Sequence, residues 1–254
     1  MMKLTVLGKW SPFAPPGGAC PGYLVEADGA RLLLDCGSGV VAALHRTGDS
    51  HDLTGAVISH LHPDHFSDVY TLFNALRFDR YPAPAAPPLV VYAPAVAPEV
   101  LPAALPRSES RDEFLERFTF RPIEAGEGRI GPLTLRFVPT LHPEPCHAVE
   151  IRAGNRRLVY TADTGPSDAV EGLASGADLL LSECTLLEGT EDLAVPLGHL
   201  TGRMAGALAA RAGVRRLLLT HFFTPRHAVK DSLAAAAKEF AQVSAVDEGS
   251  TYEV

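Results

Sequence analysis

One run constrains this chain more than any other: Ser59-His60-Leu61-His62-Pro63-Asp64-His65 places four metal-ligating side chains within six residues. Imidazole nitrogen and carboxylate oxygen are ligands for zinc, manganese and iron. The run continues the apolar stretch 56–59, which predicts a strand. His60 and His62 are two residues apart, so an extended chain points both to the same side. Pro63 then turns the chain towards a helix, and Asp64 and His65 can face a second position beside the first. A His-rich surface turn is the bland alternative. It would crowd three imidazoles and a carboxylate, without partners, against a buried strand.

Three more candidates share one placement. His142 follows a predicted strand at 133–139, Asp163 one at 158–162 and His221 one at 217–220. Residues just past strand ends meet at one edge of an α/β structure, where such proteins place their ligand sites. Each alone reads equally as a hydrogen-bonded core or surface residue. Together with the 60–65 run they read as a ligand set. Seven ligands serve two divalent ions if one carboxylate bridges, and a pair about 3.5–4 Å apart suits hydrolysis.

The remaining apolar runs give the frame. Strands are predicted at 3–7, 22–26, 31–35, 118–123, 148–152 and 179–182, with a hairpin turn at 27–30. Helices are predicted at 38–46, at 66–78, where Val69, Leu72, Phe73 and Leu76 recur at spacings of three and four, and at 201–212 and 228–242. Thr201 reads as an N-cap and Gly213 as a C-terminal stop. Residues 81–106 carry eight prolines and only 89–92 looks like a strand; this segment reads as an insertion or lid near the site. The pattern implies an α/β (α+β) fold, two mixed sheets packed together with helices outside, in one domain spanning 1–254.

The net charge of −8 supplies no global attraction for nucleic acid. Cys20, Cys36, Cys146 and Cys184 are scattered, fit neither a zinc ribbon nor a disulfide framework, and read as thiols of a reducing compartment. No apolar stretch reaches membrane-spanning length, and the N-terminal apolar run is too short for a signal peptide, so a cytoplasmic protein without membrane contact is expected.

With H-x-H-x-D-H at 60–65, then His142, Asp163 and His221 in that order, the sequence resembles the metallo-β-lactamase-fold hydrolase superfamily. Leu33-Leu34-Asp35-Cys36-Gly37, Tyr160-Thr161-Ala162-Asp163-Thr164 and Leu181-Ser182-Glu183-Cys184 extend the resemblance over nearly the whole chain. Gly198-His199-Leu200-Thr201 and Leu219-Thr220-His221-Phe222 look most like the RNase Z and cyclic-nucleotide phosphodiesterase branch. The resemblance implies a four-layer αββα sandwich with the metals at one edge. It assigns His60, His62 and His142 to one ion, Asp64, His65 and His221 to the other, and Asp163 to the bridge. The ions would be zinc, with manganese or iron as alternatives. A homodimer is implied only by the resemblance. The chain lacks a long separate Gly/Pro-containing arm of the kind RNase Z uses to grip transfer RNA, and stable tRNA binding is not expected.

The function expected is a phosphodiesterase acting on a cyclic nucleotide or short RNA end, with a metal-bridging hydroxide attacking phosphorus and Asp64 orienting it. His199 is the candidate general acid and Glu183 its partner carboxylate. Asp35 is expected to accept a hydrogen bond from a ligand histidine, with Ser59 and Thr164 in similar supporting roles. A lactone, thioester or other small ester is the alternative substrate class, and a non-catalytic metal-bound sensor the third reading. His147 is not expected to be a ligand, and His45, His51 and His227 have no ligand-like context. Arg203, Arg226 and Lys230 are the basic residues best placed for a phosphate, although solvation is the default for each. Phe222 and Phe223 could stack on a base but are expected to fill core.

Overall fold

The structure is a computed structural model and describes residues 1–78, 87–106, 111–223 and 228–254. The first half runs β1 (Met2–Gly8), β2 (Trp10–Ser11), β3 (Gly22–Ala27), β4 (Ala30–Leu34), α1 (Val40–Leu44), β5 (Gly55–Val57), α2 (Pro63–Phe66), α3 (Val69–Phe78), β6 (Leu89–Ala93), α4 (Ala97–Ala103), α5 (Arg111–Arg117) and β7 (Phe118–Pro122). The second half runs β8 (Glu127–Ile130), β9 (Leu133–Pro139), β10 (His147–Ala153), β11 (Arg156–Tyr160), α6 (Asp168–Ala174), β12 (Leu179–Glu183), α7 (Ala194–Leu197), α8 (Gly202–Ala212), β13 (Leu217–Thr220), β14 (Phe222–Phe223), α9 (Val229–Glu239), β15 (Val243–Ala245) and β16 (Thr251–Glu253).

Two seven-stranded sheets result, in the orders β16-β1-β3-β4-β5-β6-β7 and β15-β13-β12-β11-β10-β9-β8. Each begins with antiparallel neighbours and continues with parallel ones, β4 to β7 in the first and β11 to β15 in the second. The strands read as unbroken apolar runs because both faces are covered. Leu32 and Leu34 point into the layer between the sheets, while Leu33 faces the helices of its own side. In the second sheet Leu179 and Leu181 face inwards and Leu180 outwards. The expected αββα sandwich is therefore the observed one. Among the described residues no helix is long and apolar enough to cross a membrane.

Local chemistry explains the element ends. The turn between β3 and β4 uses Asp28 (φ 51°) and Gly29 (φ 83°), the two left-handed positions of a tight hairpin. The Thr201 side chain caps α8 at Met204 N, and Gly213 ends it in the left-handed region.

Two expectations are corrected. The helix expected at 66–78 is two helices. Pro63 opens α2 one turn early, so Asp64 and His65 sit inside a helix, and the chain breaks at Ser67–Asp68 before α3. Asp68 accepts from Val41 N at 2.9 Å and donates its own N–H to Cys36 O, which ties the break to α1 and to the turn after β4. Of the expected lid, 81–86 lie outside the described residues, and 89–103 are part of the layered fold. Strand β6 is paired on both sides, and Ala97 and Leu101 of α4 are buried. Pro98 falls in the first turn of α4, where its missing N–H costs nothing.

Candidate metal centre

The site lies where strand ends of both sheets meet. The chain leaves β5, remains extended through His62 (φ −78°, ψ 138°) and enters α2. Asp35 (φ 54°), Ala162 (φ 50°) and His221 (φ 57°) adopt left-handed backbone just past β4, β11 and β13. A residue with a Cβ pays roughly 1–2 kcal/mol for this conformation. Here it turns the chain sharply where Asp35, Asp163 and His221 must meet.

All seven sequence-predicted ligands are brought together in two sets. His60, His62, His142 and Asp163 each offer an atom within 4.8 Å of the others, and so do Asp64, His65 and His221. In the first set His142 Nε2 is 3.3 Å from His62 Nδ1, and His60 Nε2 is 3.6 Å from Asp163 Oδ2. In the second, His65 Nε2 and His221 Nε2 are 2.9 Å apart, with Asp64 Oδ2 at 3.7 and 3.6 Å from them. Asp163 turns Oδ2 to the first set and Oδ1 to the second, 3.1 Å from His221 Nε2 and 3.4 Å from His65 Nε2.

Four of the imidazoles have their outer nitrogen held, which leaves the inner one for the cluster. His65 Nδ1 meets Asp35 Oδ2 at 2.8 Å. His60 Nδ1 meets the Ser59 hydroxyl, which itself donates to Asp35 Oδ2. His142 Nδ1 meets Gly198 O at 3.1 Å. His221 Nδ1 meets the Thr185 hydroxyl at 2.8 Å, and that hydroxyl donates to Glu183 Oε2 at 2.6 Å. Asp35, the expected supporting carboxylate, also accepts the Ser59 N–H and the Tyr160 hydroxyl from the opposite sheet.

His199 and Glu183 form the expected pair, with Nδ1 to Oε1 at 2.9 Å. Glu183 is fully buried and also accepts the N–H groups of Thr164, Thr185 and Leu200. Burial alone would lower the His199 pKa, but Glu183 outweighs it and raises the value to about 9. Asp163, His199 and His221 also fall within 4.8 Å of one another, so His199 stands at the edge of the ligand cluster.

The residues fit a pair of cations. His60 Nε2 and Asp163 Oδ1 are buried without a hydrogen-bond partner. Burial pushes the His60 pKa well down and favours the neutral imidazole a metal needs. Burial opposes charge on Asp163 and Asp64 too, yet the surrounding histidines hold both below the usual carboxylate range. His65 is buried as well, which by itself disfavours its charged form, but Asp163 and Asp35 outweigh this and raise its pKa.

Thr185 and Ser11 went unnoticed in the sequence, and Gly198 and Tyr160 stood in recognised motifs without an assigned role. Ser11, in β2 beside β14, donates to Asp64 Oδ2 at 3.0 Å. Thr185 lies two residues after Glu183, a hydroxyl next to a quoted motif, which was the available signal. A cavity of about 510 Å³ opens beside His62, His142 and His199. Phe222 is core, as expected, but Phe223 lines this cavity and is 38% exposed. Arg203 and Lys230 are not among the residues lining it, His147 is in neither ligand set, and Arg226 and His227 lie outside the described residues.

Residues 30–222 match the model of the β-lactamase superfamily domain. The chain is 31% identical over 237 residues to the probable metallo-hydrolase YhfI of Bacillus subtilis, covering 93% of each. It is 30% identical over 243 residues to the ribonuclease Z of Mycobacterium bovis, covering 87% of this chain and 86% of that relative. The crystal structure of YhfI superposes with a TM-score of 0.86 at 28% identity, covering 99% of this chain and 98% of that one. Human tRNase Z, short form, shares the fold, with a TM-score of 0.77 at 20% identity over 99% of this chain and 98% of that one.

Proposed function

The chain belongs to the β-lactamase superfamily as a metallo-hydrolase, and we propose that it is a phosphodiesterase acting on a cyclic nucleotide or a short RNA end. Two divalent ions would be held by His60, His62 and His142, by Asp64, His65 and His221, and by Asp163 between them, with zinc the first choice from a His/Asp donor set. When bound, such ions lower the pKa of a water and neutralise charge on phosphoryl oxygens.

The observation that carries the reading is the His199–Glu183 contact at the edge of the cluster, 2.9 Å long and with the carboxylate fully buried. A phosphodiester expels a poor alkoxide, which needs a proton, whereas a thiolate does not. Glu183 Oε1 holds Nδ1 of His199 and keeps the ring charged at neutral pH, so that Nε2 can protonate the leaving oxygen. Glu183 Oε2 takes the Thr185 hydroxyl, whose lone pair takes His221 Nδ1–H and leaves His221 Nε2 for the cluster. One carboxylate thus positions both the acid and a ligand. Asp35 does the same for His65 directly and for His60 through Ser59.

The test is a screen of purified protein, loaded with zinc or with manganese, on bis-p-nitrophenyl phosphate, cyclic AMP, a lactone and a thioester. Phosphodiester cleavage supports the reading. Ester or thioester cleavage without any phosphodiester cleavage overturns it in favour of the second reading, a small-ester hydrolase, which the apolar wall of the adjacent cavity favours. Full metal sites with no turnover on any of the four favour a binding protein.

A further inference from the structure

We infer that the cavity beside the ligand cluster is a subsite for an uncharged, apolar leaving group, aryl or alkyl. The inference rests on the metallo-hydrolase part of the reading above and puts an apolar leaving group where a nucleotide would place its ribose oxygen.

The cavity has two kinds of wall. His62, His142 and His199 form the side shared with the ligand cluster. The outer side is built by Leu186, Leu187, Leu193, Leu197 and Phe223. Three of these are poorly covered, with Leu193 40%, Leu197 46% and Phe223 38% exposed. Large apolar side chains gathered around one concavity mark a binding surface, whereas scattered ones need no explanation. Leu193 and Leu197 are four residues apart on consecutive helical turns, which puts them on one face.

The wall is tied to the chemistry by its own backbone. Leu197 is followed by Gly198, whose carbonyl holds His142, and by His199, the candidate acid. Gly198 N and His199 N both donate to Ala194 O, at 2.9 and 3.1 Å, so the apolar turn and the candidate acid are tied to one carbonyl. Because His199 lines this cavity, the group it accepts is the one that leaves. Among the described lining residues Glu144 is the only charged side chain apart from the histidines, and none is Lys or Arg.

Methyl 4-alkylphenyl phosphates with hydrogen, ethyl or butyl at the para position test this on the metal-loaded enzyme. The substituent enlarges the leaving phenol while hardly changing its acidity. Each added methylene is expected to raise kcat/KM about three- to fourfold until the cavity is filled, mostly through KM. Leu197→Asp, and independently Leu193→Asp, should flatten the series, with metal content and melting temperature as checks on folding. Val195→Asp, 63% exposed and outside the cavity lining, should leave the series intact. A flat or falling series in the wild type, or one that survives both leucine variants, overturns the inference. The same series of 4-alkylphenyl acetates separates the two readings. If the phosphates are inert but the acetates show the chain-length gain, the phosphodiesterase reading fails and the subsite stands. If the phosphates are cleaved without the gain, the subsite alone fails.

Discussion

His199 carries two separable predictions. Replacing it with Ala should lower kcat about 10²–10⁴-fold on substrates with alkoxide leaving groups, and much less on p-nitrophenyl esters, with metal content unchanged. Atomic spectrometry beside the kinetics checks this; loss of metal would make His199 a ligand instead. The second concerns pH. Its pKa in the fold, about 9, lies above the ordinary 6.5, so the folded state holds a proton that the unfolded state gives up first. In the metal-free protein the Glu183 contact therefore stabilises fully below pH 6.5 and is lost as pH rises through about 9. Melting curves of wild type and His199→Gln should diverge below that window and converge above it. Thr185 makes the opposite case, a neutral group with high stakes. Thr185→Val keeps the shape but strips a buried carboxylate oxygen and His221 Nδ1 of a partner, at about 1–3 kcal/mol.

Elements position these groups, and glycines fix how closely the elements approach. Gly198 has φ 69°, and a Cβ there would lie 2.7 Å from His142 Cα and 2.8 Å from Leu141 O. Gly198→Ala should push His142 away and empty the first ligand set, so that bound metal falls from two ions towards one. Gly37 is tighter still, since a Cβ would run into Asp64 O. At this scale the sequence was informative where periodicity was strong and silent where it was short. The central strands and α8 could be read because apolar runs and caps announce them. Strands β2, β14 and β16 could not, because two or three residues in a strand carry no period and are held by a distant partner. In the Pro-rich stretch the strand at 89–92 was legible and is observed as β6, whereas the bounds of the short helix α4 were not, because Pro98 sits harmlessly in its first turn. For the site, residue types and order pointed to the seven side chains that the structure brings together in two sets. The tautomer-setting contacts through Thr185 and Gly198 needed three dimensions, because their partners lie 36 and 56 residues away.

The whole molecule is built on two packed seven-stranded sheets, and the ligand sets sit where strand ends of both meet. His60 and His62 come from the first half and His142 from the second, while Asp64 and His65 face His221 in the same way. Metal binding should therefore stabilise the fold as a whole. Chelation should lower the melting temperature, by about 5–10 °C for each ion held at a hundredfold excess over its Kd, and calorimetry with and without chelator measures it. The division of ligands also bears on the chain as two pieces. A cut in the connection after β7 would leave four ligands on one fragment and three on the other, with β16 of the second fragment lying in the sheet of the first. Neither fragment would own a complete ligand set, so reassembly of the halves and capture of metal would become a single event, each a readout of the other.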